Sequence, residues 1–138
     1  YTSDRILNNP YTVNITNEIA LKNELEEIEL TLNEKIDGSE FLKLGWNLNG
    51  IFKFIRSEFV DDELLEKLPP VCGVAFVKKD YTKNGILIAH EGFVIDQKIL
   101  IHASSARKKT IQESLLDYLN GKKESKFDGV MFYKISSI

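Results

Sequence analysis

The chain has 138 residues, of which 43% are hydrophobic and 28% are charged, and its formal net charge at pH 7 is -3. This composition is typical of one globular domain and excludes a disordered or fibrous chain. Charges of both signs are interspersed, with one small cationic cluster at residues 107–109, and no stretch approaches the roughly 18 apolar residues of a membrane span, so we expect neither a nucleic-acid nor a membrane partner.

The methionine and cysteine content sets two expectations. The sequence begins at Tyr1 and contains one methionine, Met131, which predicts a processed or truncated chain rather than a native start. The single cysteine, Cys72, excludes an intrachain disulfide and a multi-cysteine zinc site. Cys72 lies in an apolar run and has no cationic neighbour or helix start in sequence, so we expect a buried, unreactive thiol.

The N-terminal segment predicts short elements. Residues 1–16 are rich in Asn, Thr and Tyr, and we expect an extended or looping segment that lies over the domain rather than in its core. The next apolar residues fit both a helical stripe and a strand alternation. We favour a short helix over about 17–26 and a strand over about 27–35, followed by a turn at Asp37-Gly38.

A strand, a helix and a second strand are predicted in the middle of the chain. Phe52 and Phe54 indicate a short strand. Asp61 is placed to cap a helix that ends at the Pro69-Pro70 pair. The mostly apolar residues 71–78 then predict a strand.

The C-terminal part carries clearer signals. Residues 85–93 and 98–103 are β-rich and predict a meander. The capping-box sequence TIQE at residues 110–113 predicts the start of a helix that Gly121 ends. Residues 127–135 supply a last strand with alternating faces. Together these elements indicate an α+β domain.

The two histidines of the chain, His90 and His102, lie at the ends of neighbouring β-rich runs. A two-residue turn at Asp96-Gln97 would set His90 opposite Ala103 and place the histidines on different faces of the sheet. An odd-length loop, or a bulge for which Gly92 is suited, would pair His90 with His102. We predict adjacent antiparallel strands with both imidazoles on one face, within hydrogen-bonding reach.

Such a pair has a use in nucleophilic catalysis. A neutral imidazole can take the proton of a thiol, and a second polar group on its far nitrogen fixes its tautomer and orientation. In this interpretation His90 is the base and His102 orients it. The alternative is that both are structural residues that bond the backbone at strand ends.

The same residues resemble a known family. The run GILIAHEGFV from Gly85 to Val94, followed by KILIHASS from Lys98 to Ser105, resembles the strand pair of NlpC-type cysteine peptidases. It most resembles the N-acetylmuramoyl-L-alanine amidase-like branch, in which a capped helix with a terminal Tyr-Leu follows. The resemblance is specific over about residues 68–120. It departs at LPPVCGVAFV from Leu68 to Val77, where the family has a Gly-Asp pair and this chain has no Asp.

The resemblance implies a papain-like α+β fold, with an antiparallel sheet packed with helices and an upstream catalytic helix missing from this chain. Residues 1–138 would then be a single domain, the C-terminal part of a larger amidase-like domain. The implied activity is hydrolysis of a peptidoglycan amide bond by a cysteine with His90 as base and His102 as its partner, without metal or cofactor. The implied partners are a peptidoglycan stem peptide or muropeptide and a missing N-terminal segment, and the implied location is periplasmic or secreted.

In the family the nucleophile heads a helix, in an Asp-Cys motif that this sequence does not contain, and Cys72 is a poor substitute. We therefore expect the chain alone to be inactive. One alternative is a catalytically inactive papain-like domain that uses its cleft for binding, or that forms part of an effector or a two-chain assembly. A further alternative is an unrelated α+β domain, which predicts no relation between His90 and His102.

Overall fold

A computed structural model describes residues 11–121 and 126–135. In this part of the chain eight strands form one antiparallel sheet, in the order β2-β3-β8-β4-β5-β6-β7, with β1 paired to β8. The strands are β1 Thr12–Asn14, β2 Leu25–Leu32, β3 Leu48–Arg56, β4 Val71–Val77, β5 Ile88–Ile95, β6 Ile99–Ser104, β7 Lys109–Ser114 and β8 Gly129–Ile135. The last strand of the chain thus lies in the centre of the sheet, between β3 and β4.

Three short helices accompany the sheet: α1 Thr16–Ile19, α2 Asp62–Leu65 and α3 Leu115–Asn120. The predicted cap of α2 is confirmed, because the Asp61 carboxylate accepts a hydrogen bond from the backbone N–H of Leu64 at 2.9 Å. Single 3-10 segments lie at Lys22–Glu24, Ser57–Phe59 and Lys79–Asn84. None of the helices in the described ranges is long and apolar enough to cross a membrane.

Both faces of the central strands are buried, since neighbouring residues of β4 belong to different apolar clusters. Val74 and Phe76 belong to the cluster that also contains buried apolar residues of all three helices, among them Ile19, Leu65 and Leu119. Ala75 and Val77 contact the second cluster, on the other face, with Phe52 from β3. The first cluster is the relevant one for the site, because the helices that cover it reach the histidine-bearing strands.

Two expectations for the N-terminal region need correction. The predicted helix over about 17–26 is shorter, because α1 ends at Ile19 and a 3-10 turn precedes β2, which begins at Leu25 rather than near residue 27. Residues 1–10 lie outside the described residues. Residues 12–14, however, pair with β8 as β1, and Ile15 is buried in the first cluster, so this part of the segment contributes to the core.

The capping box predicted at residues 110–113 is wrong. These residues belong to β7, where Thr110 pairs with Ala103 and Ile111 with His102. The helix begins later, at Leu115, and its cap is Ser114, whose hydroxyl accepts from the backbone N–H of Asp117 at 3.2 Å. Residues 110–113 form a strand because β6 supplies a backbone hydrogen-bonding partner along their whole length. If these residues instead extended the helix towards its N-terminus, they would lose that pairing.

The β5–β6 hairpin has the odd-length loop that same-face histidines require. Its last paired residues are Ile95 and Ile99, so three residues separate the strands. The first two of them have positive φ values, 51° at Asp96 and 63° at Gln97. Continued along the strands, this register sets His102 opposite Gly92 and leaves His90 two residues further on, on the same face. The predicted direct pairing of the two histidines is therefore wrong, and they are diagonal neighbours.

A β-bulge adjoins the site in the pairing of β5 with β4. Phe76 pairs with His90 and Val77 pairs with Ile88, so Ala89 is the extra residue in β5. Bulges re-aim the side chains next to them and are common beside functional sites. Gly92, which we considered suited to a bulge between the histidine-bearing strands, pairs regularly with Val74 and has a different role.

Candidate active site

The imidazoles of His90 on β5 and His102 on β6 are in direct contact. The Nε2 atom of His90 lies 2.8 Å from the Nδ1 atom of His102, which is hydrogen-bonding distance. The rings are nearly perpendicular, with an interplanar angle of 80° and centroids 5.1 Å apart. The predicted juxtaposition of the two histidines is confirmed, and it contradicts the alternative that they are unrelated.

Gly92 leaves the space that His102 needs. A Cβ atom on Gly92 would lie 2.9 Å from the Cβ of His102 and 2.7 Å from the backbone oxygen of Ile101. Both distances are shorter than real Cβ contacts allow, so any larger residue would push β6 away. The glycine therefore permits the close approach of the strands that carry the histidines.

Glu113 on β7 completes a row of three polar side chains. Its Oε2 atom lies 2.8 Å from the Nε2 atom of His102, on the side of the ring that faces away from His90. Glu113 was not among the predicted site residues, because residues 110–113 also fit the pattern of a helix cap. The signal that would have found it is the strand-like spacing of Ile111, which pairs with His102, and Glu113, two residues later on the same face.

Tyr118 of α3 covers the histidine pair. Its ring centroid lies 4.6 Å from that of His102 and 6.0 Å from that of His90, and it also contacts Phe76 edge-on at 5.2 Å. Burial, and then the charge of Glu113, raise the pKa of Tyr118, so it stays a neutral phenol at neutral pH. His102 is consequently buried, with 4% of its surface exposed, whereas His90 is only partly buried.

The surroundings favour a neutral His90. Burial is the main cause that lowers its pKa below the ordinary 6.5, and the nearby positive charges of His102, when protonated, and Lys126 lower it further. Below pH 6.5 an unperturbed imidazole is mostly charged, and the charged ring cannot accept a proton. A depressed pKa keeps the lone pair of His90 available over a wider pH range.

His90 faces an open cleft of about 290 Å³. Lys78 and Tyr81 line one part of it, and Tyr118 and Lys126 line another. The lysine ammonium groups lie over aromatic rings, Lys78 at 5.7 Å from the Tyr81 centroid and Lys126 at 5.6 Å from the Tyr118 centroid. Among the described residues that line the cleft none is acidic, so it offers a cationic environment.

Cys72 does not belong to this site. It lies on the same sheet face as Phe76, the partner of His90, but four residues away along β4, which is roughly 13 Å of strand. It is 1% exposed, and burial raises the pKa of its thiol to about 11. The expectation that Cys72 is buried is confirmed. In the described ranges no group of three or more His, Cys, Asp or Glu residues is arranged to hold a metal ion.

The described residues form a mainly antiparallel sheet with few helices, and the sheet bears a histidine pair at an open cleft. Comparison with known proteins identifies the family of the chain. A family model described as AmiA-like, N-acetylmuramoyl-L-alanine amidase-like, matches residues 1–129. The chain belongs to the N-acetylmuramoyl-L-alanine amidase-like family. No curated protein matches it.

Solved structures share the fold. A protein from Legionella pneumophila str. Philadelphia 1 superposes with a TM-score of 0.69 at 16% identity, over 99% of this chain and 59% of that one. An N-acetylmuramoyl-L-alanine amidase from Bacteroides uniformis superposes with a TM-score of 0.64 at 15% identity, over 99% of this chain and 64% of that one. The chain therefore spans less than two thirds of the length of these structures.

Proposed function

We propose that this chain is the histidine-bearing part of a cell-wall amidase domain of the papain-like, NlpC type, which hydrolyses a peptidoglycan amide bond by a Cys-His-His mechanism. One observation carries the proposal: the 2.8 Å contact between His90 and His102 beside an open cleft. Family membership supports a cell-wall amidase-type activity. Action on the cell wall would take place outside the cytoplasm.

His90 would be the general base and His102 the residue that orients it. His90 is the ring that lines the cleft, and its lowered pKa favours the neutral form that can accept a thiol proton. His102 is buried and contacts the far nitrogen of His90, as an orienting residue should. The reaction as proposed needs no metal or cofactor.

The nucleophilic cysteine would come from a segment outside the present sequence. Cys72 is the single cysteine of the chain, and its burial, raised pKa and distance along β4 all argue against attack on a substrate in the cleft. Residues 1–138 would then be the C-terminal part of a larger amidase-like domain. The shares of 59% and 64% of the two similar structures leave room for such a segment.

The proposed substrate is a stem peptide or muropeptide. The cleft contains Lys78 and Lys126 and, among its described lining residues, no carboxylate. Two ammonium groups near the base favour a peptide that carries free carboxylates. Aromatic rings beneath the ammonium groups supply apolar contact area for the rest of the ligand.

The test is turnover of a muropeptide by the present chain and by a longer chain that adds the segment proposed to carry the cysteine. We expect hydrolysis by the longer chain alone, because a base and its orienter without a nucleophile only position the substrate. In the longer chain His90→Ala should abolish turnover, and His102→Ala should reduce it less. Equal activity of the two chains would contradict the proposal and return Cys72 to consideration.

A binding function is the second candidate, and the burial of Cys72 favours it. With no accessible thiol in the sequence, the cleft would hold a peptide without cutting it, as an inactive papain-like domain or as part of an effector or two-chain assembly. Muropeptide binding by the longer chain, with no turnover at any pH, would support this function over hydrolysis.

A further inference from the structure

The three polar side chains of the site have different hydrogen-bonding capacities, and these fix where the protons lie. An ionised carboxylate only accepts hydrogen bonds, so the contact between Glu113 and His102 requires a hydrogen on Nε2 of His102. A neutral His102 then has its lone pair on Nδ1. That atom lies 2.8 Å from Nε2 of His90 and must accept a hydrogen from it.

The same hydrogen-bond donors and acceptors determine which nitrogen of His90 is basic. If Nε2 of His90 carries a hydrogen, the lone pair of the neutral ring is on Nδ1. His90 lines the open cleft while its Nε2 is engaged by the buried His102. Nδ1 is therefore the nitrogen left to accept a proton from a group in the cleft.

The backbone around Glu113 is well anchored, which fixes the position from which its side chain reaches His102. Glu113 pairs with Leu100 in the β6–β7 ladder. The next residue, Ser114, pairs with Ile99 and caps α3, and the Leu115 backbone N–H donates to the Lys98 oxygen at 2.9 Å. A diagonal neighbour on an adjacent strand is within reach of a long side chain, which accounts for the contact with His102.

We infer that Glu113 is a positioning residue that sets the tautomers of His102 and, through it, of His90, leaving Nδ1 of His90 as the proton acceptor of the site. The inference deepens the proposed function and rests on it for the role of His90 as a base. The tautomers themselves exist in the present chain without substrate. They can be measured whether or not the amidase reaction occurs.

The experiment is long-range 1H–15N NMR of the imidazoles at about pH 8, where an ordinary imidazole is neutral. The chain contains two histidines, so a single His90→Gln variant assigns both sets of signals. In the wild-type chain we expect both rings in the Nε2–H form. A His102 that is protonated on Nδ1 would overturn the inference at once.

Glu113→Lys replaces an acceptor by a donor. We expect it to reverse the direction of both hydrogen bonds in the row, so that both rings shift to the Nδ1–H form. The matched control is Glu91→Lys, which makes the same charge change next to His90 but on the opposite sheet face, where Glu91 pairs with Ala75. The control should leave both tautomers unchanged. If Glu113→Lys does not fold, Glu113→Ala serves, since His102 should then populate both tautomers.

Unchanged Nε2–H signals from His102 in a folded Glu113→Lys or Glu113→Ala variant would overturn the inference. So would an equal shift of the tautomers in Glu91→Lys, because the effect would then be one of charge rather than of the specific contact. Neither result depends on muropeptide turnover. An inactive longer chain with the expected tautomer reversal would contradict the proposed function and leave the role of Glu113 intact.

Discussion

His90 is reachable from the cleft and also has a lowered pKa, although a solvent-accessible imidazole ordinarily keeps its usual pKa. It is accessible from the cleft, yet burial of part of its ring and the neighbouring positive charges lower its pKa from 6.5. The charged form is disfavoured because it loses hydration and meets Lys126. A base that stays neutral at and somewhat below neutral pH follows from this environment.

The lowered pKa of His90 predicts a pH dependence of stability. Below pH 6.5 the unfolded chain binds a proton at residue 90 that the folded chain does not yet bind, so the free energy of unfolding decreases as pH falls through the window between 6.5 and the lower pKa of folded His90. Urea unfolding between about pH 5 and pH 8 should show this decrease in the wild-type chain and a smaller one in His90→Gln. An NMR titration that gave His90 a pKa at or above 6.5 would contradict the prediction.

The histidines were predicted from the sequence, and Glu113 was missed. His90 and His102 are the two histidines of the chain and end two runs of matching apolar pattern, which is a local signal. Glu113 was hidden because the four residues from Thr110 satisfy a helix-cap pattern as well as a strand. The backbone pairing of β7 with β6 in the β6–β7 hairpin decides between the two patterns.

At the scale of elements, the register of the β5–β6 hairpin determines that both histidines lie on the same face of the sheet. Its odd loop could be proposed from the sequence as a requirement, but the positive φ values at Asp96 and Gln97 that close it could not be read from those residue types. The bulge at Ala89 lies in the pairing of β5 with β4 and was not anticipated. A shift of one residue would move one histidine to the other face of the sheet.

Gly92→Ala tests whether the close approach of β5 and β6 is needed for the pair. The added Cβ would meet the Ile101 oxygen at 2.7 Å, which is backbone and cannot rotate away. We expect a loss of about 1–3 kcal/mol in the free energy of unfolding, as for other overpacked sites, together with loss of the hydrogen bond between His90 and His102. Urea unfolding and the imidazole NMR signals measure the two effects.

Gly50→Ala is the matched control for that substitution. Gly50 also lies in a strand, but a Cβ there would meet Phe52 Cε2 at 3.4 Å, an ordinary contact with a side chain. Its stability should stay within about 0.5 kcal/mol of the wild-type value, with the histidine signals unchanged. If Gly92→Ala behaves like this control, the glycine is not what positions His102.

At the scale of the whole molecule, the alternation of strands and helices could be predicted, and so could the antiparallel character of the C-terminal strands. The strand order could not. β8 lies between β3 and β4 and pairs with β1, so residues more than a hundred positions apart in sequence are neighbours in the sheet. No local pattern encodes such pairings, because apolar alternation shows that a strand is buried but not which strand covers its edge.

The charge of the cleft is opposite in sign to the net charge of the whole chain. The chain has 21 acidic and 18 basic residues, yet the described lining of the cleft contains Lys78 and Lys126 and no acidic residue. A cationic cleft in a net negative protein selects for ligands with a complementary charge. We predict that a short N-acylated peptide with a free carboxylate binds this chain more tightly than the same peptide as its carboxamide.

Calorimetric titration of both peptides at low salt, with Lys78→Gln, Lys126→Gln and the double variant, measures this preference. Each substitution should weaken binding of the carboxylate about two- to fivefold, the effect of a partly exposed ion pair, and leave the carboxamide nearly unaffected. Added salt should reduce the preference in the wild-type chain. Lys53→Gln, an exposed lysine of β3 away from the cleft, is the control and should change neither affinity. Equal affinities for the two peptides in the wild-type chain would show that the ammonium groups do not select the ligand, and the case for an anionic stem peptide would fall with them.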